Sequence, residues 1–220
     1  MIRKTQKAYD AWALKYDQDV NPHLILEHED VLKLVDAKKD EKILDAACGT
    51  GRYTEDFFRK KAKIIGIDFS IKMIEVARKK NTKIDYRVAD LTKKLPFPNN
   101  YFDKINCGQA LKHIKNLKFT LREFHRVLKK NGKLIFSVTH PDMDWTDYNT
   151  RSDVSLDLRA KSDIFQHKFC DYFEAFEYAG FKINVIKQVK INEKIKHILT
   201  ANSYRKVKGR YENIIFKLIK

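Results

Sequence analysis

A glycine turn within residues 41–52, EKILDAACGTGR, has the composition of a nucleotide-binding site. The apolar Ile43 and Leu44 lead into small residues that include Gly49 and Gly51, and the residues after the turn can start a helix. A strand, a tight glycine turn and a helix form the nucleotide-binding corner of open α/β sheets. Glycine is favoured there because a β-carbon would clash with a ligand lying against the backbone. The amides that begin the helix face such a ligand with a partial positive charge.

Two side chains near this turn argue against a dinucleotide ligand. The dinucleotide fingerprint has a third glycine or alanine three residues after the second, and Thr54 stands at that position. Asp45 precedes Gly49 by four residues, and a carboxylate there would repel a pyrophosphate but attract an ammonium or sulfonium ligand. The turn therefore favours a ligand with a cationic group. A chance glycine turn in some other α/β protein remains the alternative for this segment taken alone.

Acidic residues also follow the next predicted strands. The second strand, residues 63–68, ends at Asp68, where a carboxylate can accept hydrogen bonds from both ribose hydroxyls. The third strand, residues 84–89, is followed by Asp90 and Leu91, and the fourth, residues 104–109, contains Gly108. Asp68 would suit any nucleoside, including that of a nicotinamide cofactor, so it supports the nucleoside without identifying the reaction.

Several stretches of the chain resemble the motifs of the class I S-adenosylmethionine-dependent methyltransferases, in the version of the type 11, small-molecule-like subfamily. They are the aromatic segment YDAWALKYD (9–17), the glycine turn (45–51), the linker KLPFPNNYFD (94–103) and the segment ALKHI (110–114). The last departs from the family pattern, because Lys112 replaces a commoner histidine. The resemblance runs from about Tyr9 to His140. It implies S-adenosyl-L-methionine as the cofactor and S-adenosyl-L-homocysteine as its product.

The resemblance also implies which residues bind the cofactor. They are Tyr9, Tyr16, Asp45, Ala47, Gly49, Gly51, Asp68, Phe69, Met73, Asp90, Leu91 and Gly108. In the family, aromatic residues at the positions of Tyr9 and Tyr16 close over the methionine end, and the acid at Asp90 accepts a hydrogen bond from the adenine amino group. A methionine at the position of Met73 lies beside the adenine. For Tyr9, Tyr16 and Met73, ordinary packing is the competing interpretation.

The fold class that the resemblance implies is α/β, a doubly wound, Rossmann-like sheet of seven mostly parallel strands in the order 3-2-1-4-5-7-6, with strand seven antiparallel. Ligands of such sheets bind beyond the carboxyl ends of the strands, at the switch point between strands one and four. Gly49, Asp68, Asp90 and Gly108 should therefore share one rim. An amphipathic helix is predicted over residues 116–130, ending at an Asn-Gly pair.

A single domain is predicted over residues 1–220, with two additions to the sheet. An N-terminal helical lid is expected over about residues 1–37, and its first helix is predicted over residues 5–16. A substrate-facing insertion is expected over about residues 141–168, since this stretch is polar, lacks a clear period and contains Trp145 and Tyr148.

The chemistry implied by the resemblance is in-line transfer of a methyl group from sulfonium to a nucleophilic atom, for which no metal is required. The protein would align the nucleophile and could remove its proton. Two histidines are the catalytic candidates, His140 at the tip of strand five and His113 after strand four. His167 and His23 fall outside the matched motifs. For each histidine the alternative is a structural or surface role.

The charge of the chain leaves the methyl acceptor open. Its net charge is +16, and residues 182–220 carry eleven Lys or Arg against two acids, a net +9. A basic region suits RNA binding, but lysine predominates over the arginine that specific phosphate contacts favour, so background charge is the preferred interpretation. A small-molecule N, O or C nucleophile is therefore the first hypothesis. RNA, tRNA included, is the second, and a protein that binds the cofactor without transferring methyl is the third.

Composition places the chain among globular proteins. Hydrophobic residues make up 43% of it, and no apolar run approaches the ~20 residues of a membrane span. The N-terminus lacks the apolar core of a signal peptide, and three scattered cysteines predict reduced thiols. We therefore expect a cytoplasmic monomer or homodimer that does not engage a membrane.

Overall fold

A seven-stranded sheet forms the centre of the computed structural model, which describes residues 4–143 and 162–220. The strands are β1 (Lys42–Ala46), β2 (Lys63–Asp68), β3 (Asp85–Val88), β4 (Phe102–Gly108), β5 (Leu128–Thr139), β6 (Lys182–Lys190) and β7 (Tyr211–Ile219). Their order is β3-β2-β1-β4-β5-β7-β6. The pairs among β1 to β5 are parallel, whereas β7 is antiparallel to β5 and β6. The predicted fold class is confirmed.

Helices cover both faces of the sheet. They are α1 (Lys4–Trp12), α2 (Pro22–Val35), α3 (Arg52–Arg59), α4 (Ile71–Lys80), α5 (Leu117–Val127), α6 (Phe169–Ala179) and α7 (Ala201–Val207), with short 3-10 turns at Leu111–His113 and Glu193–Ile195. Side chains of Asn21, Ser70 and Asn116 cap α2, α4 and α5 by accepting a backbone N–H of the first turn. Within the described ranges, none of these helices has the length and apolarity to cross a membrane.

Two helices are shorter than the sequence predicts. α1 ends at Trp12 and is followed by turns, not by continued helix to residue 16. α5 ends at Val127, so the prediction of a helix to residue 130 is wrong. Leu128 instead begins β5 and pairs with Phe102 of β4. The apolar spacing of α5 continues through Leu128 in the sequence, and this pairing with the sheet decides where the helix stops.

The core lies in two layers, one on each face of the sheet. Consecutive residues of β1 point to opposite faces, with Ile43 packed in the layer of α2, α3 and α4 and Leu44 in the layer of α5 and α6. A strand buried on both sides is the signature of a doubly wound sheet. This arrangement leaves the carboxyl ends of β1, β2 and β4 as an open rim for a ligand.

Candidate functional site

A cavity of about 620 Å³ lies at the carboxyl ends of the strands, a size typical of small-molecule sites. The cavity is lined by nine of the twelve predicted cofactor residues, namely Tyr9, Tyr16, Ala47, Gly49, Asp68, Phe69, Asp90, Leu91 and Gly108. Both candidate histidines, His113 and His140, line it as well. Residues distant in the sequence therefore meet at the rim that the strand order predicts.

Asp68 organises the glycine turn at this rim. Its Oδ2 accepts the backbone N–H of Gly49 at 2.9 Å, and its Oδ1 accepts that of Ser70 at 2.8 Å. The side chain is only 5% exposed, and burial raises the pKa of the carboxyl to about 6 against the opposing effect of these two hydrogen bonds. Gly49 adopts a positive φ of +55°, and a β-carbon on it would lie 3.9 Å from the ring of Tyr16.

Asp45 does not line the cavity, and its expected contact with a cationic ligand has to be revised. Its Oδ2 accepts a hydrogen bond from Thr54 Oγ1 at 2.5 Å, and its Oδ1 accepts one from Asn106 Nδ2 at 2.8 Å. Burial raises the pKa of this carboxyl to about 6. Asp45 belongs to β1, and a strand side chain stands perpendicular to the sheet, so it points to α3 and not beyond the strand end.

Gly51 and Met73 also lie outside the cavity lining. Gly51 has φ +86° at the start of α3, and a β-carbon there would overlap the hydroxyl of Tyr86. Position 51 therefore requires glycine because Tyr86 of β3 packs against it. Met73 is fully buried in α4, which favours the packing interpretation over contact with an adenine.

Aromatic side chains of the N-terminal segment cover the cavity. The rings of Trp12 and Tyr16 are 4.6 Å apart, and the ring of Tyr9 lies 6.2 Å from that of Phe69. Burial raises the pKa of Tyr16 to about 12 and that of Tyr9 still further above its ordinary value. Both phenols are therefore neutral and present rings, not charges, to the cavity.

Polar contacts hold this N-terminal segment against the glycine turn and the start of α4. Asp17 accepts a hydrogen bond from Thr50 Oγ1 at 2.7 Å and is paired with Lys80 at 3.0 Å. Asp10 accepts one from Ser70 Oγ at 2.5 Å. A segment attached to both ligand-facing turns supports the interpretation of residues 1–37 as a lid, which stays a proposal.

His113 has both ring nitrogens engaged. Its Nδ1 lies 2.6 Å from the backbone carbonyl of Asp163, which can only accept, so Nδ1 carries the proton. Nε2 then accepts a hydrogen bond from the hydroxyl of Tyr9 at 3.1 Å. Burial, with a further contribution from Lys112, lowers the pKa of His113 to about 4. These contacts favour a role in positioning Tyr9 over a role as general base.

Both ring nitrogens of His140 also contact neighbouring groups. Its Nδ1 accepts the backbone N–H of Asp142 at 3.2 Å, and its Nε2 lies 3.3 Å from Nε2 of Gln188. The ring stacks on Tyr211 at 5.1 Å. Burial lowers the pKa of His140 below its ordinary value. These contacts therefore favour a structural role for His140 over a role as general base.

A buried acid that sequence reasoning missed connects α2 to the rim. Glu27 is fully buried, and burial raises the pKa of its carboxyl. Its carboxylate accepts four hydrogen bonds, from Tyr53, Gln109, Ser137 and Asn213, at 2.6 to 3.2 Å. The signal was available, because Glu27 shares the helical spacing of the buried Leu24 and Val31.

His23, which falls outside the matched motifs, lines the cavity as well. Its Nδ1 lies 2.9 Å from Oε1 of Glu212 and 3.0 Å from Oδ1 of Asn213. No local pattern could have indicated this cluster, since its members come from the start of α2 and from β7. Of the predicted insertion, Trp145 and Tyr148 lie outside the described residues.

The sheet order and the position of the cavity define a Rossmann-like fold of the class I methyltransferase type. Residues 44–136 match the family model described as a methyltransferase domain, and the resemblance recognised in the sequence is confirmed. The chain is 33% identical over 122 residues to a demethylmenaquinone methyltransferase of Streptomyces avermitilis, an alignment covering 55% of this chain and 52% of the relative. The chain thus spans about half the length of the curated relatives it matches.

Solved structures share the fold across most of the chain. An S-adenosylmethionine-dependent methyltransferase from Mesorhizobium loti superposes with a TM-score of 0.72 at 20% identity, covering 89% of this chain and 98% of the other. A complex of the Haloferax volcanii Trm112 methyltransferase activator with a methyltransferase gives a TM-score of 0.74 at 18% identity, covering 96% of each chain. Likeness at these identities supports the fold and leaves the acceptor open.

Proposed function

We propose that this protein transfers a methyl group from S-adenosyl-L-methionine to a small-molecule acceptor. The observation that carries the proposal is a cavity of about 620 Å³ at the strand ends, lined by Asp68 and Asp90 together with the aromatic residues of the N-terminal segment. A site of this size, lined by aromatic and polar side chains, suits a nucleoside and a compact second ligand.

The residues present fit the cofactor. The carboxylate of Asp68 lies at the tip of β2, where it can accept ribose hydroxyls, and Asp90 lies at the tip of β3, where it can accept the adenine amino group. Gly49 lets a ligand approach the backbone beneath the ring of Tyr16. The bound cofactor supplies an activated methyl group on sulfonium.

The chain's own contribution is then positioning and exclusion of water. The rings of Tyr9, Trp12 and Tyr16 cover the cavity, and polar contacts from Asp10 and Asp17 keep the lid in place. Holding two reactants at a fixed approach removes much of the entropic barrier to an in-line displacement. Neutral aromatic faces are also suited to lie against a positively charged sulfonium.

The names of the relatives suggest which acceptor to test first. Relatives such as the Streptomyces avermitilis protein are named for demethylmenaquinone, so that compound is the first acceptor to test among N, O and C nucleophiles. The three cysteines are free thiols, which supports a cytoplasmic location. We extend the proposal to a monomer or homodimer without a membrane contact.

RNA is the second candidate acceptor because of the basic region at residues 182–220. Part of that charge is used within the protein, since Lys194 pairs with Glu29 at 3.1 Å and Lys208 with Glu193 at 2.9 Å. The lid also covers the cavity, whereas RNA needs an open groove. Both observations favour the small-molecule acceptor.

Calorimetry is the first test of the proposal. S-adenosyl-L-methionine and S-adenosyl-L-homocysteine should bind and NAD should not, because Thr54 replaces the third glycine of the dinucleotide turn. Tight NAD binding with no response to the methyl donor would contradict the proposal. Cofactor binding without transfer to any acceptor would favour the non-catalytic alternative.

The acceptor is tested with radiolabelled donor on a metabolite panel that includes demethylmenaquinone, and on bulk tRNA at two salt concentrations. One variant neutralises Arg205, Lys206, Lys208 and Arg210, and a matched control neutralises four exposed lysines elsewhere, Lys39, Lys60, Lys79 and Lys94. We expect metabolite methylation that is the same in both variants. Methylation of tRNA that falls only in the first variant, and falls further with salt, would support the RNA acceptor instead.

A further inference from the structure

A buried tyrosine of α6 lines the cavity with a hydroxyl that the fold does not use. Tyr172 is 2% exposed and is one of the residues that line the cavity. Among the described residues, no group forms a hydrogen bond with its hydroxyl. The hydroxyls of Tyr86 and Tyr204 also lack a partner there, but protein atoms enclose them completely, whereas that of Tyr172 is not enclosed. A ligand in the cavity can therefore reach the Tyr172 hydroxyl.

Rings of the sheet and of the preceding segment hold Tyr172 in place. Its ring lies 6.1 Å from that of Phe136 in β5 and 5.7 Å from that of Phe216 in β7. The ring of His167 lies 5.7 Å away on the other chain segment that reaches this end of the cavity. His167 is itself fixed, because its Nε2 donates to the backbone carbonyl of Ile114 at 2.8 Å. The hydroxyl is thus positioned before a ligand arrives, which lowers the entropic cost of binding.

Tyr172 lies over a different part of the sheet from the residues expected to bind the cofactor. Asp68 ends β2 and Asp90 follows β3, whereas the ring of Tyr172 packs on β5 and β7. In the observed strand order β2 and β5 are three strand spacings apart, or roughly 14 Å. The cavity is lined by residues from both regions. Tyr172 is therefore placed to meet a second ligand beside the cofactor.

The state of the phenol determines what it can recognise. Burial, with a smaller contribution from Asp171, raises the pKa of Tyr172 well above its ordinary value, so the hydroxyl keeps its proton and can donate it. A hydroxyl or carbonyl oxygen can accept this hydrogen bond, whereas a protonated amine cannot. A site that hydrogen-bonds one ligand rejects an analogue without the matching atom, because the buried polar group is then left unpaired.

We propose that Tyr172 is a specificity-determining residue for the methyl acceptor and that its hydroxyl donates a hydrogen bond to an oxygen of that acceptor. The apolar side chains of Ile114 and Phe165 line the same cavity, so the class of acceptor is an apolar framework that carries a hydroxyl or carbonyl oxygen. This inference rests on the proposed function and narrows its acceptor. Tyr172 selects and aligns the acceptor, and the proton and methyl transfers do not pass through it.

The kinetic test compares Tyr172→Phe with the matched control Tyr178→Phe, which changes a 55% exposed tyrosine of the same helix. Both variants are assayed on demethylmenaquinone and on every other panel member that the wild type methylates. Tyr172→Phe should lose about tenfold in kcat/KM, mainly through a higher KM, because the bond is made to the bound acceptor before and during transfer. Tyr178→Phe should keep the wild-type values.

Stability and cofactor affinity separate this role from a structural one. Tyr172→Phe should unfold at the same urea concentration as the wild type, since its hydroxyl has no partner in the described part of the fold. It should also bind S-adenosyl-L-homocysteine with unchanged affinity, because it lies away from β2 and β3. A clear loss of stability would show that the hydroxyl serves the fold, and it would overturn the proposal.

A second measurement observes the hydroxyl without turnover. With S-adenosyl-L-homocysteine bound and tyrosine labelled at Cζ, the NMR signal absent from Tyr172→Phe should shift on addition of p-cresol. Toluene, which has the same ring without the hydroxyl, should shift it less. Equal shifts with the two probes would overturn the hydrogen bond.

The outcomes distinguish the proposal from the function on which it rests. Wild-type kcat/KM in Tyr172→Phe would overturn the role of Tyr172 and leave methyl transfer intact. Absence of transfer by the wild type to any acceptor would overturn the proposed function, and the assignment of Tyr172 to a methyl acceptor with it.

Discussion

The hydroxyl of Tyr9 donates a hydrogen bond to Nε2 of His113 across 3.1 Å, and this contact joins α1 to the 3-10 turn that follows β4. His113 can accept it because its other nitrogen donates to the carbonyl of Asp163. The pKa of His113 is lowered to about 4, so the ring stays neutral and able to accept from Tyr9 at any pH near neutrality. The contact between α1 and His113 therefore requires no charge on either partner.

Removing this bond should loosen the lid. We expect Tyr9→Phe to keep the ring packing and weaken cofactor binding by about 1 kcal/mol, or roughly fivefold in Kd. Phe69→Leu is a comparison that removes ring contact instead of the hydroxyl, so the two variants separate packing from hydrogen bonding. Calorimetry with S-adenosyl-L-homocysteine measures both. Wild-type affinity in Tyr9→Phe would mean that the bond does not contribute to closure.

Asp68 and Asp45 should respond differently to the same type of change. Asp68→Ala removes a carboxylate that lines the cavity, so we expect a loss of roughly 2–3 kcal/mol in cofactor binding with the fold retained. Asp45→Asn alters a side chain held by Thr54 and Asn106 outside the cavity, so its affinity should fall less than tenfold. Equal losses of cofactor affinity in the two variants would indicate that Asp45 contacts the ligand.

The raised pKa of Asp45 predicts a pH-dependent stability difference. In the unfolded chain this carboxyl titrates near 3.8 and in the fold near 6, so between these values the folded state binds more protons. Stability from this group therefore rises as the pH falls from 7 to 4. Relative to Asp45→Asn, which does not titrate, the wild type should gain about 2–3 kcal/mol over that range. Urea unfolding of the wild type and of Asp45→Asn at pH 7 and pH 4.5 measures this gain. A difference in unfolding free energy that is the same at both pH values would contradict the raised pKa of Asp45.

Gly51 and Tyr86 provide a test of packing beneath the glycine turn. Gly51→Ala should destabilise the protein by several kcal/mol, because φ +86° is strained for alanine and its β-carbon would overlap the hydroxyl of Tyr86. That hydroxyl is buried without a hydrogen-bond partner among the described residues, so Tyr86→Phe alone should be nearly neutral.

A double variant with Gly51→Ala and Tyr86→Phe should regain the stability that Gly51→Ala loses to steric overlap. It should not regain the stability lost to the positive φ at residue 51. Thermal unfolding of the two single variants and the double variant gives the coupling energy. Strict additivity would show that overlap with Tyr86 does not contribute.

Local patterns were sufficient to predict the framework of the site. Asp68 and Asp90 each follow a predicted strand, and parallel strands bring their carboxyl ends to one edge, so proximity followed from topology. The same reasoning failed for Asp45, because closeness in sequence to the glycine turn did not say which way a strand side chain points. It also failed at Leu128, where pairing with Phe102 ended a helix that the apolar spacing would have continued.

Partners far apart in the sequence could not be predicted. His23 contacts Asn213 across 190 positions, and neither residue has a neighbour pattern that names the other. Glu27 was recognisable as an acid on an apolar helix face, but its four donors come from α3, the residue after β4, β5 and β7. Long-range polar networks of this kind depend on the register of the completed sheet.

The position of β7 between β5 and β6 has a consequence for synthesis on the ribosome. The chain emerges from its N-terminus, so β6 is made before the strand with which it pairs, and the edge of β5 stays open until β7 emerges. β7 also carries Glu212 and Asn213, which complete the corner of the cavity at α2. α1 is thus translated before the strands of the sheet, and the part of the cavity wall that β7 contributes is translated after them. A nascent chain that stalls before β7 therefore exposes the unpaired β6, the open edge of β5 and an unfinished pocket, and exposed strand edges promote aggregation.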